Sequence, residues 1–182
     1  MLTLRRYKRA EDFDTLYREF GQFENSDLLY SQLSLGNEEA FSSWLEKNTS
    51  TVWHDFFIAE TNGGLPIGFV YSYEFRRLGG VCKVCCYTYE RYRGIGLGPL
   101  AGVVFLDRLF QRYPLRKVYA EIFGHNGSSL EIARSVGMEQ EACFKEAYWQ
   151  RGRYVDQYVF SLSRDGFYDC PSIQRLLKGR LR

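Results

Sequence analysis

The chain has 182 residues, of which 45% are hydrophobic and 25% charged, a balance typical of a globular protein with one sizeable core. Its 24 basic and 22 acidic residues leave a formal net charge of +2, which argues against a nucleic-acid or membrane-surface partner. The sequence has no apolar run near the ~20 residues that span a bilayer and no signal-peptide core at its start, so we expect a cytoplasmic protein.

The five cysteines are an odd number, which predicts reduced thiols in a chain without a secretory signal. Three of them form the pattern Cys82-x-x-Cys85-Cys86, which superficially resembles half of a zinc site. The segment has the composition of a strand, in which neighbours such as Cys85 and Cys86 point to opposite faces. We therefore predict packing cysteines and no metal.

The first half of the chain predicts two helices followed by an antiparallel meander. Apolar residues at helical spacing mark the helices, and alternation interrupted by Gly63-Gly64 and Gly79-Gly80 marks the strands. In the middle strand of the meander, every second residue from Phe69 to Phe75 is aromatic and is expected on one face. The predicted elements are strand Leu2–Leu4, helices Asp12–Phe20 and Glu38–Lys47, and strands His54–Glu60, Ile67–Phe75 and Val81–Tyr89.

The second half predicts helices alternating with strands and a final hairpin. Pro99 is expected at the first position of a helix that ends before Pro114, and Gly137 is expected to end the next helix. The predicted elements are helix Leu100–Arg112, strand Lys117–Phe123, helix Ser128–Val136, strands Cys143–Gln150 and Tyr154–Leu162, and helix Ser172–Leu181. We expect one α/β domain over residues 1–182, of the α+β kind with a mixed sheet, in which residues 165–182 add an extra helix.

The segment from Arg91 to Gly98, Arg-Tyr-Arg-Gly-Ile-Gly-Leu-Gly, separates the last strand of the meander from the following helix. Glycines let the backbone approach a ligand closely, and the first amides of a helix point outward at the positive end of its dipole. Arg91 and Arg93 add fixed positive charge. This segment, which we call the glycine loop, is therefore predicted to bind a phosphate group.

Two phosphorylated ligands suit the glycine loop. A dinucleotide is one, since Gly96-x-Gly98-x-x-Ala101 fits a permissive Rossmann fingerprint and Glu121 follows a little over ~20 residues later. Such a loop should follow the first strand of a βαβ unit, however, and three antiparallel strands are predicted before it, which disfavours a nucleotide-dependent oxidoreductase. Coenzyme A is the other ligand, because its pyrophosphate suits the same helix N-terminus and needs no ribose-binding acid.

The glycine loop and the residues after it resemble a known family. Arg93-Gly94-Ile95-Gly96-Leu97-Gly98 matches the signature Arg/Gln-x-x-Gly-x-Gly/Ala of the GNAT superfamily of N-acetyltransferases. Downstream, Asn126-x-x-Ser129, followed by Gly137-Met138 and Glu141-Ala142, is similar to the RimJ/RimL branch, with Met138 and Ala142 as mild departures. The resemblance covers essentially the whole chain.

The resemblance implies the GNAT fold, a mostly antiparallel sheet flanked by helices that splays between its fourth and fifth strands, where acetyl-CoA enters as the co-substrate. It implies an acetyl-CoA-dependent N-acetyltransferase, monomeric or homodimeric, that acts on a primary amine of a peptide N-terminus, an aminosugar or another small amine. The implied coenzyme contacts are the backbone of Cys86, Tyr87 and Tyr89 for pantetheine; Arg91, Arg93, Gly94, Ile95, Gly96, Leu97 and Gly98 for pyrophosphate; and Asn126 and Ser129 nearer the thioester.

The acid that assists departure of the thiolate has more than one candidate under this resemblance. Many relatives place a tyrosine on the helix after Asn126, and the matching position here is Ala133. In the RimL-like pattern the serine of Asn-x-x-Ser takes this role, which favours Ser129 over Ser128. The alternative is that Ser129 only caps the helix. The vacant tyrosine position also leaves open a non-catalytic acyl-CoA-binding module of the same fold.

The base has several candidates as well. RimL-like enzymes use a glutamate where this chain has Tyr148. Glu146 lies two residues earlier and is expected on the same strand face, and Glu121 lies on the predicted fifth strand near the split. Each carboxylate is either a base or a structural group, and Tyr148 itself is a possible proton relay. Asp156, in the final hairpin, is expected to organise the turn or the pocket.

Aromatic residues are available to line an acceptor pocket between the N-terminal helices and the final hairpin. Such a wall would suit a sugar ring or an apolar amine, although the same side chains also suit a core. These residues are Phe20, Phe23, Tyr30, Trp53, Tyr71, Tyr73, Tyr148 and Trp149.

Overall fold

The protein folds around one seven-stranded sheet, seen in a computed structural model that describes residues 2–20, 38–50, 55–150 and 152–179. The strands are β1 (Leu2–Arg6), β2 (Phe56–Thr61), β3 (Pro66–Arg76), β4 (Val81–Thr88), β5 (Lys117–Phe123), β6 (Glu139–Gln150) and β7 (Arg153–Ser163). The helices are α1 (Arg9–Phe20), α2 (Glu38–Thr49), α3 (Leu97–Arg112), α4 (Gly127–Ser135), α5 (Arg164–Asp169) and α6 (Pro171–Gly179). None of the helices within these ranges is long and apolar enough to cross a membrane.

The strand order across the sheet is β1-β2-β3-β4-β5-β7-β6. Neighbouring strands run antiparallel, apart from β4 and β5, which run parallel and are joined by α3. Short turns suffice for antiparallel neighbours, whereas a parallel pair needs a crossover such as α3. The predicted α+β architecture with a mixed, mostly antiparallel sheet is confirmed.

Helices cover both faces of the sheet. On one face, Phe105 of α3 belongs to a buried cluster with Val70 and Val118. On the other face, Phe41 of α2 belongs to a second cluster with Phe69. Phe69 and Val70 are adjacent in β3 and point to opposite layers, as strand alternation requires. Each fully buried side chain of this kind contributes about 1.5–3 kcal/mol to stability.

The sheet splits between β4 and β5. Within the described residues, their parallel register covers Val81–Lys83 and Lys117–Tyr119. β4 then stays paired with β3 as far as Thr88, while β5 stays paired with β7 as far as Phe123. Each strand follows its own antiparallel partner, so the two diverge. The splay expected between the fourth and fifth strands is confirmed.

A β-bulge in β3 breaks the alternation that the sequence predicts. Glu74 has a φ of 48°, where the register with β4 shifts between Tyr73 and Arg76. The bulge turns Phe75 to the α3 side of the sheet, where its ring centroid lies 5.0 Å from that of Tyr113. The prediction that Phe75 shares a face with Tyr73 is therefore wrong.

A second bulge lies in β6. The register with β7 shifts between Phe144 and Tyr148, and Glu146 has a φ of 51°. The expectation that Glu146 and Tyr148 share a strand face depends on regular alternation, and the bulge interrupts the alternation between these two residues.

The predicted element boundaries differ from the observed ones for local reasons. Gly96 is the N-cap of α3, and the helix begins at Leu97, earlier than predicted. Pro99 is therefore its third residue rather than its first. Short helix α5 precedes the expected C-terminal helix and is capped by the Ser163 hydroxyl, which accepts a hydrogen bond from a backbone N–H. The predicted ends at His54 and Leu181 lie outside the described residues.

Candidate active site

The glycine loop leads from β4 to α3 with two residues in the left-handed region. Gly94 has a φ of 78° and Gly96 a φ of 82°, and a Cβ at either position would meet no described atom within 4 Å. These glycines serve the backbone conformation and leave open space beside the loop. Because Gly96 caps the 16-residue α3, the first amides of that helix point out of its N-terminus, at the positive end of the dipole. This geometry suits a phosphate group.

The Arg93 side chain is held against the end of β4. Its Nε donates to the carbonyl oxygen of Thr88 at 3.0 Å, and a terminal nitrogen donates to the Tyr87 hydroxyl at 3.1 Å. Burial raises the pKa of Tyr87 to about 12 against the lowering effect of Arg93, so this hydroxyl stays protonated and donates to the Glu19 carbonyl oxygen. Arg93 is thereby a positioned cation beside the glycine loop.

The start of α3 lies unusually close to β4. A Cβ on Gly98 would lie 2.5 Å from Thr88 Oγ1, which is closer than real Cβ contacts. The Cys86 Sγ donates to the Gly98 carbonyl oxygen at 3.5 Å, and a Cβ on Gly102, one turn later, would lie 3.9 Å from that sulfur. A Cβ at Gly98 would therefore have to displace the Thr88 hydroxyl, whereas Gly94 and Gly96 adopt a backbone conformation that favours glycine.

A cavity of about 480 Å³ connects the glycine loop with the split between β4 and β5. This volume lies in the range of small-molecule sites, about 300–1,000 Å³. We call it the cleft. Its wall includes Cys85, Cys86 and Tyr87 from β4, Ala120, Glu121 and Ile122 from β5, and Asn126, Ser129 and Ala133 at or in α4.

Asn126 is the N-cap of α4. Its Oδ1 accepts a hydrogen bond from the Ser129 backbone N–H at 3.2 Å. The alternative in which Ser129 caps the helix is therefore wrong: Ser129 is the third helical residue, and it lines the cleft. The asparagine supplies the structural part of the Asn-x-x-Ser motif and leaves the serine hydroxyl for another role.

The sequence model of a family described as acetyltransferase (GNAT) domain matches residues 1–139. The chain belongs to the GNAT acetyltransferase family. Among curated proteins, the SPbeta prophage-derived uncharacterized N-acetyltransferase YokL of Bacillus subtilis (strain 168) is 24% identical over 155 residues, which are 85% of this chain and 84% of YokL. The GNAT membership expected from the glycine loop is confirmed, and it supports an N-acetyltransferase.

Solved structures of GNAT proteins share the fold. The spermidine N-acetyltransferase from Vibrio cholerae, in complex with CoA and spermine, has a TM-score of 0.84 at 17% identity, covering 92% of this chain and 98% of its own. RimL, a ribosomal-protein α-N-acetyltransferase in complex with coenzyme A, has a TM-score of 0.78 at 15% identity, covering 91% and 95%. The similarity to RimJ/RimL-type proteins is confirmed at the level of the fold. The strand context expected to disfavour a dinucleotide does not do so, because β4, α3 and β5 form a βαβ unit around the glycine loop. The match to an acetyltransferase family model argues against an oxidoreductase instead.

Among the predicted bases of this GNAT domain, the structure brings Glu121 to the cleft. Its side chain is 10% exposed, and its Oε1 lies 2.8 Å from Lys83 Nζ. Glu146 and Tyr148 lie away from the cleft wall. Glu146 is exposed on β6, and the Tyr148 ring packs against Phe123 with 5.4 Å between centroids. Among the described residues that line the cleft, Glu121 is the one carboxylate.

Asp156 holds the β6 bulge in place. Its carboxylate accepts hydrogen bonds from Lys145 Nζ at 2.7 Å and from the Glu146 backbone N–H at 3.0 Å. The hydrogen bond from Lys145 lowers the pKa of Asp156. These contacts match the organising position expected of Asp156.

Several predicted coenzyme contacts of the GNAT pattern lie away from the cleft wall. Tyr89 is buried, and its N–H donates to the Ile67 carbonyl oxygen at 2.9 Å, so this amide is committed to β3. The Arg91 guanidinium lies over the ring of Tyr92, and Ile95 is 65% exposed; Leu97 packs against the α3 side of the core. The predicted contacts that do line the cleft are Cys86, Tyr87, Arg93, Gly94, Gly96, Gly98, Asn126 and Ser129.

The aromatic wall expected for the acceptor is described in part. Tyr71 and Tyr73 line the cleft, with 5.5 Å between their ring centroids. Burial raises the pKa of Tyr71 well above its ordinary value, so its hydroxyl remains protonated. Trp149 is 63% exposed on the β6–β7 hairpin. Phe23, Tyr30, Trp53 and the side chain of Phe20 lie outside the described residues.

Sequence reasoning missed two residues at this site. His125 lines the cleft and stacks on Phe123 with 5.8 Å between ring centroids; its place directly before Asn126 was the available signal. Lys83 contacts Glu121 across the split, and nothing local in the sequence indicates that pairing.

The cysteines of β4 point to opposite faces, as predicted. Cys85 packs on the α1 side, and Cys86 contacts Gly98 of α3. Burial raises the pKa of the Cys85 thiol. Cys86 opens onto the cleft, but the protein packed around its sulfur raises its pKa to about 12. Within the described ranges, no group of three His, Cys, Asp or Glu side chains is placed to hold a metal ion.

Proposed function

We propose that the protein transfers the acetyl group of acetyl-CoA to a primary amine on a small molecule or a peptide N-terminus. The observation that carries this proposal is the continuity of the cleft. One cavity contains both the open glycine loop and a wall with Asn126, Ser129 and Glu121. A donor with a pyrophosphate and a distant reactive thioester matches this layout.

The residues present fit coenzyme A. The amides at the start of α3 and the Arg93 cation suit the pyrophosphate, and the open space at Gly94 and Gly96 leaves room for it. Beyond Lys83, the edge of β4 that faces β5 has no paired strand among the described residues. Backbone amides and carbonyls seek hydrogen-bond partners, so this edge is suited to the amides of the pantetheine arm.

Direct attack by the amine fits the side chains of the cleft better than a route through an acylated cysteine. The raised pKa values of Cys85 and Cys86 make both thiols poor nucleophiles. In the proposed reaction the neutral amine attacks the thioester carbonyl carbon, the C–N bond forms and the C–S bond breaks. Glu121 accepts the proton of the amine, directly or through water, and the Ser129 hydroxyl donates a hydrogen bond to the departing thiolate.

Turnover with a panel of acceptors tests the proposal. Purified protein, acetyl-CoA and primary amines (small amines, aminosugars and peptides with free N-termini) are incubated, and acetylated product is measured by mass spectrometry. The wild-type protein should acetylate at least one class. Gly96→Glu, which places a carboxylate in the glycine loop, should abolish acetyl-CoA binding, and Asn126→Ala should weaken it. Absence of product with every class, although acetyl-CoA binds, would contradict the proposal.

A non-catalytic acyl-CoA-binding module is the second candidate. Ala133 is buried in the cleft wall, at the position where many proteins of the resembled family carry a tyrosine acid, and a methyl group supplies no proton. Binding of acetyl-CoA without product from any amine would favour this candidate, and measurable turnover would exclude it.

A further inference from the structure

Three charged side chains form a row across β3, β4 and β5 beside the cleft. Lys83 Nζ lies 2.8 Å from Glu74 Oε2 and 2.8 Å from Glu121 Oε1. Lys83 pairs with Tyr119 in the last step of the parallel register, and Glu121 follows Tyr119 by two residues. The Lys83–Glu121 ion pair therefore connects β4 and β5 directly after the last residues of their parallel register.

The β3 bulge brings Glu74 into this row. In a regular strand Glu74 would point to the face opposite Tyr73, whose register partner is Lys83. The left-handed backbone at Glu74 turns Phe75 to the α3 side and lets the Glu74 carboxylate reach Lys83. A residue other than glycine keeps such a conformation when its surroundings hold it there, and bulges of this kind re-aim side chains beside active sites.

Glu121 has one unsatisfied oxygen. Oε1 is taken by Lys83, whereas Oε2 is buried and has no hydrogen-bond partner in the described part of the chain. A buried carboxylate oxygen needs a hydrogen-bond donor, and because Glu121 lines the cleft, a molecule in the cleft, either water or a ligand with an N–H or O–H group, can supply it. Glu121 shares the cleft wall with Asn126 and Ser129, where the proposed reaction takes place.

Lys83 remains positively charged in this row. Partial burial lowers its pKa, but the hydrogen bonds to Glu121 and Glu74 outweigh that effect and leave the pKa of Lys83 raised. The row holds one more carboxylate than it has cations. An incoming ammonium group would balance it, and it must lose one proton, to Glu121 or to water, before the neutral amine attacks.

We propose that Lys83 and Glu74 are positioning residues for Glu121, and that Glu121 Oε2 binds the acceptor amine. Lys83 holds one oxygen of the carboxylate, which leaves the other for the amine, and Glu74 holds Lys83 from the opposite strand. This inference rests on the proposed function, because it assigns the acceptor subsite of the same cleft.

Steady-state kinetics of Lys83→Met test the positioning role. The variant should raise the KM for the amine at least about tenfold, while the KM for acetyl-CoA stays within about twofold because the glycine loop is untouched. Lys83→Arg keeps the charge and should recover most of the loss. Lys117→Met is the matched control, since Lys117 is 23% exposed against 21% for Lys83, also pairs with a glutamate, and lies away from the cleft wall. Its KM for the amine should equal that of the wild type.

The outcomes separate this inference from the proposed function. Equal KM values for the amine in Lys83→Met and Lys117→Met would overturn the positioning role and leave the proposed function intact. Calorimetric titration of the amine into CoA-saturated protein needs no turnover: weaker binding by Lys83→Met supports the inference, and equal binding overturns it. A wild-type protein that neither acetylates nor binds any amine overturns both. If Lys83→Met fails to fold, the half-exposed Glu74→Gln replaces it and should raise the same KM by a smaller factor; an unchanged KM overturns the inference.

Discussion

Replacing Gly96 by alanine separates two demands on the glycine loop, its backbone conformation and its room for a ligand. Gly96 has a φ of 82°, and a Cβ there would meet no described atom within 4 Å. Gly64, in the turn between β2 and β3, has a φ of 75° and equally open surroundings. Both substitutions therefore impose similar backbone strain, but Gly96→Ala also adds a methyl group beside the proposed pyrophosphate site.

The shared strain sets the expected loss of stability. A left-handed conformation costs a residue with a Cβ about 1–2 kcal/mol. In a domain of this size, a loss of about 1 kcal/mol lowers Tm by roughly 2–4 °C. Without ligand, Gly96→Ala and Gly64→Ala should therefore both melt roughly 2–8 °C below the wild type.

Acetyl-CoA should then distinguish the two variants. At a free concentration about 100 times the wild-type Kd, binding adds about 2.7 kcal/mol to the free energy of unfolding. We expect the methyl group of Gly96→Ala to weaken binding about tenfold, which reduces this gain to about 1.4 kcal/mol at the same concentration. Gly64→Ala should keep the whole gain. The assay is thermal melting of each protein with and without acetyl-CoA, with Kd from calorimetric titration.

Two results would refute this reasoning. Equal gains from acetyl-CoA in both variants would show that the pyrophosphate does not lie beside Gly96. A Gly96→Ala protein that melts far below Gly64→Ala without ligand would show that backbone strain alone does not determine the loss of stability.

Three further experiments test other parts of the structure. Asn126→Ala and Ser163→Ala each remove a helix N-cap and should each lower the free energy of unfolding by about 1 kcal/mol, measured by thermal melting. Only Asn126→Ala should weaken acetyl-CoA binding. Equal Kd values for acetyl-CoA in the two variants would contradict a ligand contact of Asn126. The hydrogen bond from its lysine partner on β5 lowers the pKa of Glu141, so Glu141 stabilises the fold above the ordinary glutamate pKa of about 4.3 and loses that contribution as the pH falls through the lowered value. Glu141→Gln should reduce the change in the free energy of unfolding over this pH range, measured by urea unfolding, by less than about 1 kcal/mol, because the ion pair is exposed. An unchanged pH dependence of that free energy would count against the ion pair. Burial raises the pKa of Cys170, but hydrogen bonds at the start of α6 outweigh it and leave the pKa lowered, whereas that of Cys86 is raised to about 12. Iodoacetamide at about pH 8 should therefore label Cys170 before Cys86 in peptide mapping, and the reverse order would contradict these environments.

The glycine loop was predictable because its information is contained in a few consecutive residues. Glycine alone adopts positive φ without strain, so the spacing of Gly94 and Gly96 before an apolar helix indicated both the turn and the exposed helix amides. The same local evidence led us to consider only Ser129 as the cap of α4, although asparagine is an equally good N-cap residue. The structure shows that Asn126 caps the helix.

The alternation of apolar residues predicted the strands, but not the places where alternation fails. The bulges at Glu74 and Glu146 depend on how each strand aligns with its neighbour, and a bulge changes which face the following residues occupy. For this reason Phe75 was expected on the wrong face, and Glu146 was grouped with Tyr148.

Helix periodicity, capping and glycine turns act between near neighbours, so the chain itself specifies the order of elements, the glycine loop and the Asn126-x-x-Ser129 turn. The row of Glu74, Lys83 and Glu121 comes from three strands, and it exists because β4 and β5 run parallel for a few residues and then diverge. No local preference encodes such a meeting. The proposed donor end of the cleft can therefore be predicted from consecutive residues, whereas its proposed acceptor end is created by strand pairing.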